Sequence, residues 1–399
     1  MHTVWGHAYV VEQSPMPNSQ HNTSPTEVKL QFNSEVEKNF SLKIYDDANQ
    51  EVASHSPKLS SDQKEISIQL PTLDDGIYKI QYYIISLNDG HPIQGEYFIL
   101  VGESTQSIIN QGNENPFSTN NSPNNQSGSS TTVLELSIFI LKALYYFGFV
   151  LLIGWIIWWQ TIQNYSSDIR RKFILWGIVF QMVHLVGLIS VILIQVDIFT
   201  SKGVFFTTNF PFDTNFGLFW LISLVIALSG FLCLFKYRLL DIFWITIVIL
   251  CKSVNGHAST FDFTYLSVIL TSIHLIAAAI WAAGITFIVI FWKKQKLYVK
   301  SFFPTFSNYA FISFLLLAIT GSIITFIYSQ NFAFLTSDWG HYLLIKIMFV
   351  AIVVIIAAII RHKLKSSETK IGKWVKIDFL LMIVIIFIVS ILTFLSPTP

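Results

Sequence analysis

Residues 133–160 read VLELSIFILKALYYFGFVLLIGWIIWWQ, and only Glu135 and Lys142 carry charge in that run. A bilayer core about 30 Å thick needs about 20 apolar residues in helical form, so this stretch is long enough to cross. Toward the C-terminus the pattern repeats, at about 172–196, 215–235, 239–255, 264–292, 308–328, 341–361 and 374–395. Of these the fourth is the shortest. Hydrophobic residues make up 52% of the 399 positions and charged residues 12%, against about 25% charged in soluble domains. In hydrocarbon every backbone N–H and C=O must be satisfied within its own segment, which helices achieve. Residues 132–399 are therefore expected to form an all-α polytopic membrane domain with eight transmembrane helices.

Lys and Arg give the orientation. The loops after helices one, three, five and seven hold fifteen of them, including Arg170, Arg171, Lys172, Lys293, Lys294 and Arg361, whereas the opposite loops hold only Lys202 and Lys252. Basic loops stay cytoplasmic. The expected product is a multi-pass plasma-membrane protein with both termini outside.

Upstream, residues 1–105 hold fourteen Asp or Glu against six Lys and no Arg. An acidic head attracts cations and repels nucleic acid. Within it Val28-Leu30-Phe32, Leu42-Ile44, Ile66-Ile68-Leu70, Tyr78-Ile80-Tyr82-Ile84 and Tyr97-Ile99-Val101 alternate with more polar neighbours. Period-two alternation marks half-buried strands. Turn signals at Asp46-Asp47-Ala48-Asn49, Asp74-Asp75-Gly76 and Asp89-Gly90 separate them. The expectation is an all-β Greek-key sandwich or small barrel over residues 7–103. Residues 104–131, rich in Asn, Ser, Gln, Gly and Pro, are expected to be a flexible linker. Val4-Trp5-Gly6 reads like the end of a signal peptide, so residues 1–6 are expected to be its remnant and His7 the mature N-terminus.

Both cysteines, Cys233 and Cys251, lie in apolar runs, and the methionines number five. Neither a disulfide framework nor a methionine-rich Cu(I) site is written here. Asp89-Gly90-His91-Pro92 is different. On an extended segment residues two apart point the same way, which joins a carboxylate to an imidazole. An N-terminal His7 adds its α-amine and a second imidazole. Three nitrogens and one oxygen suit tetragonal Cu(II). The same residues also read as a turn with a surface histidine.

HAYVVEQSPMPN, PTEVKLQFNSEVE and YYIISLNDGHPIQGEYFILVG closely resemble the periplasmic copper-binding family CopC, over residues 7–102. That resemblance implies a cupredoxin- or immunoglobulin-like domain binding Cu(II) through His7, Asp89 and His91. NGHAS at 255–259, HLIAAAIWAAG at 274–284, TG at 320–321 and WGHYLLIKI at 339–347 resemble the membrane family CopD, over residues 133–395. The order of the segments is that of fused CopC–CopD proteins of Gram-positive bacteria. The resemblance implies copper capture outside the cell, import through the plasma membrane and a part in copper homeostasis, without enzymatic activity.

Deep polar side chains are costly in a bilayer and face the bundle interior. His184, with Gln181 and Gly187 on its face, and His274, with Ser267, Thr271 and Ala278, are the candidate intramembrane ligands for Cu(I) or Cu(II). The bland alternative is a histidine hydrogen-bonded between helices. His257 and His341, at the outer ends of helices four and seven, are candidate entry ligands or simply interfacial residues. Lys142 and Lys346 can snorkel to the outer boundary. Nothing in the sequence gives His21, His55 or His362 a task. Competing functions are a membrane haem protein with histidine axial ligands, a copper monooxygenase and a copper buffer anchored by its helices. Copper ion and the lipid bilayer are the expected partners; no nucleic acid is expected.

Overall fold

A computed structural model describes residues 8–52, 56–87, 90, 92–102, 133–162, 166–204, 206, 209–254, 264–328, 335–365 and 371–395. They divide into two compact units, one from Met1–Ser129 with Gln195–Leu221, the other from Ser130–Ile194 with Ile222–Pro399.

In the first unit eight strands build two sheets: β1 (Val10–Ser14), β2 (Ser19–His21), β3 (Glu27–Phe32), β4 (Ser41–Tyr45), β5 (Lys58–Leu59), β6 (Glu65–Gln69), β7 (Gly76–Ile85) and β8 (Pro92–Val101). One sheet has the order β1-β3-β6-β5 and the other β2-β8-β7-β4. All pairings are antiparallel except β2 with β8. The alternation read from sequence is the burial pattern found. Val28, Leu30 and Phe32 of β3 face Ile66 and Ile68 of β6 and Ile80, Ile84 and Ile99 of the second sheet in one apolar core. At Asp46–Asn49 the expected turn forms: the Asn49 N–H donates to the Asp46 carbonyl (3.0 Å) and the Gln50 N–H to the Asp46 carboxylate (2.7 Å). Asn49 takes a positive φ of 58°, which Asn tolerates better than most residues.

Eight helices follow among the described residues: α1 (Val133–Thr161), α2 (Ser167–Ser201), α3 (Asn215–Cys233), α4 (Arg238–Val254), α5 (Thr264–Phe291), α6 (Lys296–Tyr328), α7 (Asp338–Lys365) and α8 (Ile371–Leu392). Seven are long and apolar enough to cross a membrane. The exception is α4, whose 17 residues rise about 26 Å at 1.5 Å each, short of a typical hydrocarbon core. Those seven helices and the CopD-like segments make this a multi-pass membrane protein.

α6 begins well before the expected position 308, at Lys296, and runs through Pro304. Proline removes one helical hydrogen bond. Aromatic packing holds the turn: Phe302 meets Trp158 of α1 edge-on at 4.8 Å and Phe287 of α5 at 4.6 Å. α1 and α5 approach closely because Gly154 faces the backbone of Ala279; a Cβ there would collide with the Ala279 carbonyl oxygen. Small residues at such crossings let backbones touch. Ala277, Ala279, Ala282 and Ala283 are all buried on α5.

Candidate metal centre

His7, Asp89, His91 and His257 lie outside the described residues. Ala8, Gly90 and Pro92, which adjoin His7, Asp89 and His91 in the chain, are described, and in the β-domain the segments after His7 and after β7 are tied together. Ala8 is buried in the core. The Tyr9 N–H donates to the Asn33 side-chain carbonyl (2.7 Å), and the Asn33 N–H donates to the Tyr9 carbonyl (3.2 Å). The segment after Asn33 then crosses to the end of β7: Leu87 N–H to Glu35 carbonyl (3.1 Å), Val36 bridging Ser86, and Glu37 N–H to Ile85 carbonyl (2.8 Å). One short connector, Asn33–Glu37, thus ties the chain just after His7 to the loop that carries the Asp-Gly-His motif. In that loop Gly90 has φ 68° and donates its N–H to the Ser86 carbonyl (3.0 Å). A left-handed turn here favours glycine because a Cβ would crowd the backbone.

The same end packs on residues 195–221 of its own unit. Tyr83 and Ile85 of β7 form a buried cluster with Phe199, Val204 and Phe216, with Phe206, Phe210 and Trp220 around it. Gly90 lies against Phe216, where a Cβ would come within 3.5 Å of the phenylalanine Cβ. Beside it stands Glu37, 1% exposed. Its carboxylate accepts the Asn215 N–H at 2.9 Å and the Phe216 N–H as well. These are the first two amides of α3, and the Thr214 hydroxyl takes the Gly217 N–H (3.2 Å). Helix N-termini leave four N–H groups unpaired, and anions are stabilised there. Burial nevertheless pushes the Glu37 carboxyl up to about 7; the two amides and Lys38 oppose that rise, and Asp213 adds to it. Sequence reading missed Glu37, since nothing local marks an acid as buried.

In the helical unit, His184 of α2 is 3% exposed, and its Nδ1 has no hydrogen-bond partner. Its ring lies between Tyr145 (5.7 Å) and Phe149 (5.6 Å) of α1. His274 of α5 is held differently. Its Nδ1 lies 2.9 Å from the Thr320 hydroxyl of α6, and that hydroxyl donates to the Leu316 carbonyl at 2.6 Å. With its only hydrogen so used, Thr320 accepts from Nδ1–H, which leaves the His274 Nε2 lone pair free. A second group that fixes the tautomer in this way is what a ligating imidazole needs. Lys346 of α7 is close enough to act electrostatically on His274. His341 stands exposed in the first turn of α7. Lys142 points at the Phe394 ring (4.7 Å), and Lys252 lies over the rings of Tyr145 and Tyr146 at 5.6 and 5.1 Å. Asp378 of α8, which the sequence did not single out, is 2% exposed with Oδ1 unpaired. Among the described residues no three His, Cys, Asp or Glu side chains gather as a metal site.

Comparison with known proteins bears on both parts. The family model for the CopC domain matches residues 10–102, and that for copper resistance protein D matches residues 300–392. Copper transport protein CutJ of Bacillus subtilis is 23% identical over 100% of this chain and 75% of its own length. Protein YobA of Escherichia coli K12 is 33% identical over 98 residues, 24% of this chain and 78% of YobA. The crystal structure of CopC from Methylosinus trichosporium OB3b, 29% identical, covers 25% of this chain and 99% of that one, with a TM-score of 0.23. With a CopC domain followed by a copper resistance protein D segment, the chain belongs to the CopC–CopD family of copper transport and resistance proteins.

Proposed function

We propose that this protein captures Cu(II) outside the cell with its β-domain and carries copper inward through the plasma membrane. The observation that carries this reading is the Asn33–Glu37 connector, which ties the chain just after His7 to the loop of Asp89 and His91 at one end of the β-domain. His7, through its α-amine and imidazole, with Asp89 and His91 would complete a three-nitrogen, one-oxygen set suited to Cu(II). The amine ordinarily titrates near 8, so metal can displace its proton at neutral pH. Fourteen acids against six lysines in residues 1–105 favour an extracytoplasmic cation trap. Lys and Arg placement supports eight crossings with the β-domain and both termini outside.

Within the bilayer a bare ion needs coordinating groups, because lipid offers none. His274, with Nε2 left free by its bond to Thr320, and the buried His184 are the groups that would receive it. His257 and His341 would serve at the outer entry. The chemistry is ligand exchange, with no covalent turnover, so the protein acts as a carrier and not as an enzyme. Radiocopper accumulation in cells carrying the protein, against cells lacking it, tests the reading: faster accumulation is expected, and equal or slower accumulation would overturn import.

A further inference from the structure

Glu37 stands 178 residues from Asn215 in the chain, yet it completes the cap of α3. Burying an acid costs its solvation, and the β-domain core needs none here. Thr214, on α3's own flank, already caps the Gly217 N–H without that cost. What the acid adds is a tie between two distant parts of the chain. Its backbone N–H is fixed to Ile85 at the end of β7, while its carboxylate holds the first two amides of α3. The aromatic cluster of Tyr83, Ile85, Phe199 and Phe216 closes the same contact. Gly90, one peptide bond from both Asp89 and His91, rests on Phe216. Of the chain beyond the linker, Gln195–Leu221 alone is grouped with the β-domain in one compact unit.

We infer that Glu37 is a positioning residue for copper transfer: it holds the N-terminal end of α3 against Gly90 of the Asp-Gly-His motif, and this contact sets the rate at which copper leaves the β-domain. This rests on the reading that the β-domain binds Cu(II). Transfer by ligand exchange requires donor and acceptor groups within bonding reach, so a fixed contact raises its rate and leaves the affinity of the donor site alone.

The test uses the full chain in lipid nanodiscs, with Glu37→Ala and Glu37→Gln beside the parent. Amide exchange is read at Asn215 and Phe216 without copper, Cu(II) affinity by chelator competition, and uptake in cells at matched protein amounts. In Glu37→Ala the two amides should exchange at least about tenfold faster while β7 and β8 keep their protection. Cu(II) affinity should stay within about threefold, and uptake should fall about tenfold or more, the range seen when supporting groups around a metal site are lost. Glu37→Gln keeps an acceptor oxygen and should recover most of the uptake. Unchanged exchange at Asn215 and Phe216 in Glu37→Ala would overturn the tie. Freed amides with undiminished uptake would overturn the transfer point. Parent protein that holds no Cu(II), with the amides still protected, would reject the proposed function and the transfer with it while leaving the contact standing.

Discussion

The two parts of the molecule bury polar groups in opposite ways. In the β-domain an apolar core lies between the sheets, and the buried acid Glu37 sits with the candidate chemistry at one end, near the loop after β7 and the chain before β1. In the helical unit ionisable groups lie inside: among the described residues His184 has an unpaired Nδ1 and Asp378 an unpaired Oδ1, and His274 is bound through Nδ1 to Thr320. A β-sandwich presents function on loops held by a rigid scaffold. A membrane bundle has nowhere else to put it, since an ion crosses through the interior. Removing ligands at the β-end should therefore leave folding alone, whereas the helical unit should lose transport first.

The largest expected effect lies at the β-end. One residue added ahead of His7 converts its α-amine to an amide and removes a nitrogen ligand. Cu(II) affinity should fall by at least about a hundredfold, more than the 10–100-fold typical of a lost supporting group. Chelator competition on the β-domain measures it. Equal affinity for both forms would remove the N-terminal ligand.

Transport comes next. His184→Ala and His274→Ala should each bring radiocopper uptake to background with Cu(II) binding by the β-domain intact. Thr320→Val is the sharper probe. It keeps the shape of the side chain and loses the acceptor that fixes the His274 tautomer, so uptake should drop about tenfold. Full uptake in both histidine variants would make these imidazoles ordinary packing between helices.

Ile80, fully buried in the β-core, should cost about 2–5 kcal/mol when cut to Ala. Thermal unfolding of the β-domain reports it, and a loss below about 1 kcal/mol would mean a core able to collapse around the gap.

Legibility divided along the same line. Apolar runs placed all eight helices, and period-two alternation placed β3, β4, β6, β7 and β8, because both signals are local. β1, β2 and β5 carry at most two apolar residues each, too few to show a period. The start of α6 was hidden by Pro304, which aromatic neighbours distant in sequence compensate. His184 and His274 could be named from depth alone. The bond from His274 to Thr320, 46 residues away, needs the fold. So does the cap that Glu37 places on α3: a glutamate after Val36 reads as surface until residues 213–216 cover it.

The smallest effect is also the one with a defined pH window. Glu37 is raised from 4.5 to about 7 by burial, against the pull of the Asn215 and Phe216 amides. A folded-state value above the unfolded one means that the folded chain binds the extra proton between those limits. The contribution is then fully present below about 4.5, declines as pH rises and is gone above about 7. Each unit of difference is worth about 1.4 kcal/mol, and residual solvent trims the total to about 1–3 kcal/mol. Glu37→Gln has no proton to bind. Its contact with α3 should therefore be nearly independent of pH from 5 to 8, while in the parent the Asn215 and Phe216 amides should exchange faster at pH 8 than at pH 6 once intrinsic rates are divided out. Asp213 and Lys38 remain in both proteins, so their titration cancels in the difference. A parent and a Glu37→Gln variant with parallel profiles would place the proton elsewhere and leave Glu37 an ordinary ionised cap.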